Sequence, residues 1–251
     1  MPAVRGATVP AAAPRPVRVF YYHPSDHPPL PGYRQRLDKV MRHVQAFYAR
    51  GMEENGWGAG RTFALQRGED RGLIVHLVPG RLKLAEHKRG QTERFLHEDV
   101  DRVLRARGLD PDRETLMVFT NLLVWRDGKA IEVGPYYGSG GPDGGWCYAY
   151  DDPLLDPDRL GSRAPGGYYV SGPCSIGEFN SHYIGGIAHE LGHAFGLPHD
   201  RENAADRKRR GSALLGGGNH TYGREQRGEG PGAFMTPAEA MLPARHPRFR
   251  S

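Results

Sequence analysis

The stretch that most constrains this chain runs His189-Glu190-Leu191-Gly192-His193-Ala194-Phe195-Gly196-Leu197-Pro198-His199-Asp200. On a helix, residues four apart lie on one face, so His189 and His193 can present imidazole nitrogens to a single cation. Glu190 directly follows the first histidine, which aims it beside that cation and leaves it free to act as a base rather than a ligand. Gly196 stands where a helix commonly ends in a left-handed residue, which glycine tolerates best. Pro198 supports the stop, and the chain can swing back to deliver His199 from outside the helix. Three neutral imidazoles with a fourth, water-filled position make up a catalytic zinc site. His-Glu-x-x-His alone occurs in ordinary helices, but the addition of Gly196, His199 and Asp200 at fixed spacing does not arise so cheaply.

These residues resemble the long zinc-binding motif of the metzincin clan of zinc metallopeptidases, and the acid after the third histidine is most similar to the adamalysin branch. The resemblance implies that His189, His193 and His199 bind one catalytic Zn2+ and that Glu190 is the general base. It implies a protein or peptide substrate and slightly favours a secreted or periplasmic location. It also implies a methionine on a tight turn beneath the metal. Met235 is the first candidate, and the rival is Ser212–Gly216, where leucine would stand in for methionine. Asp200 is read as an acceptor that fixes the turn after His199.

The rest of the chain suits that fold class. Val17–Tyr22 alternates like a strand, Tyr33–Glu54 carries apolar residues at helical spacing, and Arg61–Gln66 and Leu73–Leu77 read as strands about a glycine turn. Gln91–Arg107 predicts a second helix, Leu116–Thr120 a strand covered on both faces, and Ala130–Val133 a short strand. The segment Gly134–Gly172 is glycine-rich, with Trp146–Tyr150 as its one strand-like piece. The zinc helix is placed over Asn180–Phe195. The expected fold is α+β: a mixed twisted sheet backed by helices, the zinc helix at the cleft, and an irregular C-terminal part. Residues 1–15 read as disordered, 16–199 as the N-terminal subdomain and 200–251 as the small C-terminal one. By analogy with metzincins, Trp146–Tyr150 forms the cleft rim, to which an extended peptide adds as a strand, so Trp146 and Tyr148 are candidate cleft residues. Tyr222, after the glycine run 216–218, is a further cleft candidate that could hold an oxyanion; an ordinary packed tyrosine is the competing reading.

Composition excludes several other functions. With 251 residues, 38% hydrophobic and 25% charged, the chain reads as one globular catalytic domain, expected to be a monomer. No apolar run approaches the ~20 residues that cross a bilayer, and the start has no apolar core of a signal peptide. The net charge of +5 is spread among acids, so no nucleic-acid partner is expected. The dense run Arg207–Arg210 reads as a solvated loop. Asp151, Asp152, Asp156 and Asp158 suggest a calcium loop but lack EF-hand spacing, so a structural Ca2+ stays unsupported. Cys147 and Cys174 leave a disulfide and two free thiols equally open. The polar end Arg245–Arg250 reads as a linker. Two other functions remain beside the peptidase: a zinc hydrolase of a non-peptide amide, and a non-catalytic zinc-containing binding protein.

Overall fold

In the computed structural model, residues 15–169 and 172–250 are described, so all but the last residue of the stretch expected to be disordered lies outside them. The core is a five-stranded sheet with spatial order β3 (Val75–Pro79), β1 (Arg18–His23), β4 (Thr115–Thr120), β8 (Gly145–Tyr150), β7 (Tyr137–Gly140). The first four strands run parallel and β7 is antiparallel at the edge, which makes the sheet mixed. All six residues of β4 are buried, as a central strand covered on both faces requires.

Three helices back this sheet. Helix α1 (Tyr33–Glu54) and helix α3 (Ile176–Ala194) share one face, joined where Tyr48 Oη donates to the Ala188 carbonyl at 2.8 Å. Helix α2 (Glu93–Arg105) lies on the other face, where His97 stacks on Trp146 at 3.7 Å and meets Tyr148 Oη at 2.9 Å. A second sheet joins β10 (Gly172–Ser175), β9 (Pro165–Tyr169), β6 (Lys129–Glu132) and β5 (Leu123–Arg126), in that spatial order. Two short pairs complete the strands: β2 (Thr62–Phe63) with β13 (Phe249–Arg250), and β11 (Ser212–Ala213) with β12 (Ala233–Phe234). The last helical pieces are α4 (Ala204–Arg210), the single turn α5 (Asn219–Thr221) and α6 (Pro237–Arg245). Among the described residues no helix is long and apolar enough to cross a membrane.

Several expectations change. Trp146–Tyr150 is not the sheet edge, because β8 is flanked by β4 on one side and β7 on the other; the edge strand on that side is Tyr137–Gly140. The Arg207–Arg210 run is the last turn of α4, with Arg207–Arg209 exposed and Arg210 paired with Glu54, and cations there complement the helix C-terminus. Arg245–Arg250 is no plain linker, since Phe249 is buried and pairs with Phe63. Both thiols are free, with Cys147 buried in β8. The four aspartates do not gather around a cation. Asp151 takes Arg36 through both carboxylate oxygens at 2.7 Å and Asp152 accepts from Trp125 Nε1 at 2.7 Å. Asp156 and Asp158 share Lys39.

Candidate metal centre and its cleft

Helix α3 starts on a capping box, Ser175 accepting from the Glu178 amide while Glu178 accepts from the Ser175 amide. It ends in a Schellman motif: Gly196 adopts φ +84°, its N–H donates to the His193 carbonyl at 2.9 Å, and Leu197 N–H donates to Gly192 at 3.0 Å. That reversal brings the Leu197 carbonyl against His193 Nδ1 at 2.7 Å and returns His199 over the helix. His189 Nδ1 meets the Leu214 carbonyl, also at 2.7 Å. Each carbonyl can only accept, so the proton of each imidazole sits on Nδ1 and each Nε2 is left as a bare lone pair.

Those lone pairs converge. His193 Nε2 lies 3.1 Å from His189 Nε2 and 3.2 Å from His199 Nε2. The Nδ1 protons of His189 and His193 are committed elsewhere, so the contact between their Nε2 atoms is not a hydrogen bond, and two facing lone pairs with the His199 imidazole beside them have the chemistry to take a cation between them. Zn–N bonds of about 2.0–2.1 Å in tetrahedral geometry place nitrogens about 3.3 Å apart, close to what is seen here. Among the described residues, His189, His193 and His199 form a group whose ligand atoms all lie within 4.8 Å of one another. Burial lowers the pKa of His189 to about 4 and that of His193 in the same direction, which keeps both neutral and able to bind metal at pH 7. The residues present fit a zinc ion.

Glu190 points to the cleft rim. Its Oε2 accepts the Gly138 N–H of β7 at 2.7 Å. Burial raises its pKa from 4.5 to about 7, against the pull of that hydrogen bond. Helix and strand touch backbone to backbone here: a Cβ on Gly138 would lie 1.8 Å from the Glu190 carbonyl oxygen, and one on Gly145 2.1 Å from that of Ala194.

Beneath the histidines runs the turn Leu214–Gly218. Leu214 supplies the carbonyl to His189, and Leu215 packs its methyls about a Gly192 position, 3.1 Å from where a Cβ would be. Met235 is fully buried but packs on Gly51 of α1, so the turn beneath the site belongs to the leucines instead. Asp200 Oδ2 accepts from Thr236 Oγ1 at 2.5 Å. Thr236 caps α6 in a box with Glu239, whose two oxygens accept the amides of Leu215 at 2.7 Å and Thr236 at 2.9 Å. Tyr222 is buried in the core against Phe47 and His43. Trp146 and Tyr148 face α2, with Tyr148 buried and Trp146 half-buried. Sequence reasoning named Leu214 within the rival turn Ser212–Gly216 but missed Gly138, Leu197, Thr236 and Glu239. Backbone carbonyls and amides leave no signature, but Thr236-x-x-Glu239 is a legible capping box.

Glu239 has a measurable consequence. Burial raises its pKa from 4.5 to about 7, outweighing the amides that favour the charged form. The folded protein then holds a proton that the unfolded chain releases, so this stability is fully present below pH ~4.5 and lost as pH rises through ~7. Its share of the slope is about 1.4 kcal/mol per pH unit. Urea unfolding of metal-free protein at pH 5, 6, 7 and 8 reads it: Glu239→Gln should fall less steeply across that window than the wild type, and equal slopes would sink the assignment.

Two cavities open along this part of the molecule. One of about 560 Å³ includes Glu178, His182 and His220 in its lining, further towards the start of α3. The other, of about 610 Å³, begins at His199.

No family model matches this chain, and no curated protein does. Among solved structures it is similar to wild-type OgpA from Akkermansia muciniphila in two crystal forms. One is 25% identical, covering 94% of this chain and 62% of that one, with a TM-score of 0.73. The other is 26% identical over 95% and 63%, with a TM-score of 0.72. Catalytically inactive OgpA in complex with an O-glycopeptide (glycodrosocin) substrate is 24% identical over 94% and 62%, with a TM-score of 0.72. This chain therefore spans less than two thirds of the length of those structures, and over nearly all of itself shares their mixed, helix-backed fold.

Proposed function

We propose that this chain is a zinc-dependent peptidase of metzincin type, cutting an extended peptide laid along the free edge of β7. The observation that carries the reading is the convergence of three imidazoles, with His193 Nε2 within 3.2 Å of both His189 Nε2 and His199 Nε2, beside a carboxylate anchored on β7. A structural zinc site has four protein ligands and no need of a base, whereas His189, His193 and His199 leave a position open and Glu190 stands next to it.

Zinc held there supplies a polarised water and a Lewis acid for the scissile carbonyl. Glu190 takes a proton from the attacking water and returns it to the leaving amine, a double task suited to a carboxyl whose pKa burial brings to about 7. The Leu214 and Leu197 carbonyls hold the imidazoles in the metal-binding tautomer. Leu214–Leu215 takes the place of the methionine turn, braced by Asp200, Thr236 and Glu239. Residues 16–199 and 200–251 are the two subdomains of one catalytic domain on this reading. The O-glycopeptide substrate of OgpA supports a peptide occupant for this cleft and makes a glycosylated one the narrower proposal.

The test loads the protein with one zinc and offers it a mixed peptide library together with twin peptides, bare and O-glycosylated, mapping cuts by mass spectrometry. Cleavage that chelation stops and zinc restores is the expected result. Cutting confined to the glycosylated twin establishes the narrower substrate. A fully zinc-loaded protein that cuts nothing overturns the peptidase reading and leaves a zinc-bearing binder.

A further inference from the structure

The cavity that begins at His199 is lined further by Arg201, Glu202, Arg207, Gly216 and Gly217. Its charges are sorted by direction. Glu202 is turned inward, its side chain 1% exposed, with one oxygen accepting the Ala213 amide at 2.7 Å and the other paired with Arg207. Asp200 spends its oxygens on Thr236 Oγ1 and the Arg201 amide. The carboxylates therefore face the protein, while the cations face the open space: the Arg207 side chain is 68% exposed even though paired, and Arg201 is exposed. Among the described residues no carboxylate pairs with the Arg201 guanidinium. Gly216 and Gly217 add no side chains to the lining. A wall with an unclaimed guanidinium next to a metal ligand has the chemistry to take a carboxylate carried by whatever lies in the cleft.

We propose that this cavity is a specificity subsite for an acidic residue of the substrate, read by Arg201 and backed by the Arg207–Glu202 pair; the proposal rests on the peptidase reading above. Arg207 is held in place by its buried partner, which leaves Arg201 as the discriminating charge. A guanidinium at a partly exposed site distinguishes an acidic from a neutral side chain by about tenfold, and salt weakens that preference.

Twin peptides differing only by Asp or Glu against Asn or Gln, scanned over the three positions on either side of the cut bond, test this. Two readouts separate the subsite from the chemistry: kcat/KM of the zinc-loaded enzyme, and the affinity of labelled peptides for zinc-loaded Glu190→Gln by fluorescence anisotropy. At one position the acidic-to-neutral ratio should be about ten in the wild type, near one in Arg201→Ala, below one in Arg201→Glu and partly restored in Arg201→Lys. Raising the salt from about 0.05 M to about 0.5 M should shrink the wild-type ratio. Ratios that do not respond to Arg201 at any position overturn the subsite while leaving the peptidase intact. Charge-dependent binding without any cleavage upholds the subsite and overturns the peptidase.

Discussion

Glu190→Gln is expected to lower kcat by about 10²–10⁴-fold while the protein keeps its full zinc content, because general-base catalysis is worth that much. The substitution preserves shape, and the amide oxygen of glutamine can still accept the Gly138 N–H that Glu190 accepts at 2.7 Å. What disappears is the ability to take a proton. The metal should stay, since its three nitrogen donors and the carbonyls behind two of them are untouched. His189→Ala should behave differently, losing zinc and activity together. Zinc content by elemental analysis and kcat on a single peptide separate the two. A glutamine variant that cuts at the wild-type rate would show that another group accepts the proton.

Gly138→Ala is expected to be nearly as harmful although it adds one methyl group. The new Cβ would fall 1.8 Å from the Glu190 carbonyl oxygen, and both partners are backbone, so neither can rotate away. Strand β7 must retreat from the helix by more than an ångström, which breaks the bond between Gly138 and the Glu190 carboxylate. Overpacking of this kind costs about 1–3 kcal/mol, and displacement of a reacting group by an ångström costs about 10²-fold in rate. Gly141 is the control: a Cβ there meets nothing within 4 Å, so Gly141→Ala should change neither Tm nor kcat/KM appreciably. Calorimetry and steady-state kinetics on both variants decide the matter, and a wild-type Gly138→Ala would refute the close contact.

The sequence announces the three histidines because residues that could hold one metal ion need fixed spacing along a helix and its exit. It announces α1 equally well: Leu37, Val40, Met41, Val44, Phe47 and Tyr48 follow the helical period and all are buried. The rim strand is hidden for the opposite reason. Tyr-Gly-Ser-Gly carries little β-propensity, and it is a strand because β8 pairs with it and because only glycine lets α3 come so near. The start of α3 was legible in Ser175-x-x-Glu178, four residues before the apolar pattern suggested. Leu214 and Leu215 were harder, since a supporting turn that works through a carbonyl and two methyl groups can be written with many residues. Met235 was the natural expectation, yet its position is set by Gly51, which lies far off in sequence.

The brevity of β7 has a colloidal consequence. An open strand edge invites other chains to pair with it and can seed self-association. Here the edge strand is four residues long, two of them glycine, and one of its amides is already engaged by Glu190. Such an edge grips a foreign sheet poorly. A chain pairing there would find few free amides and little side-chain surface, which limits self-association through this edge.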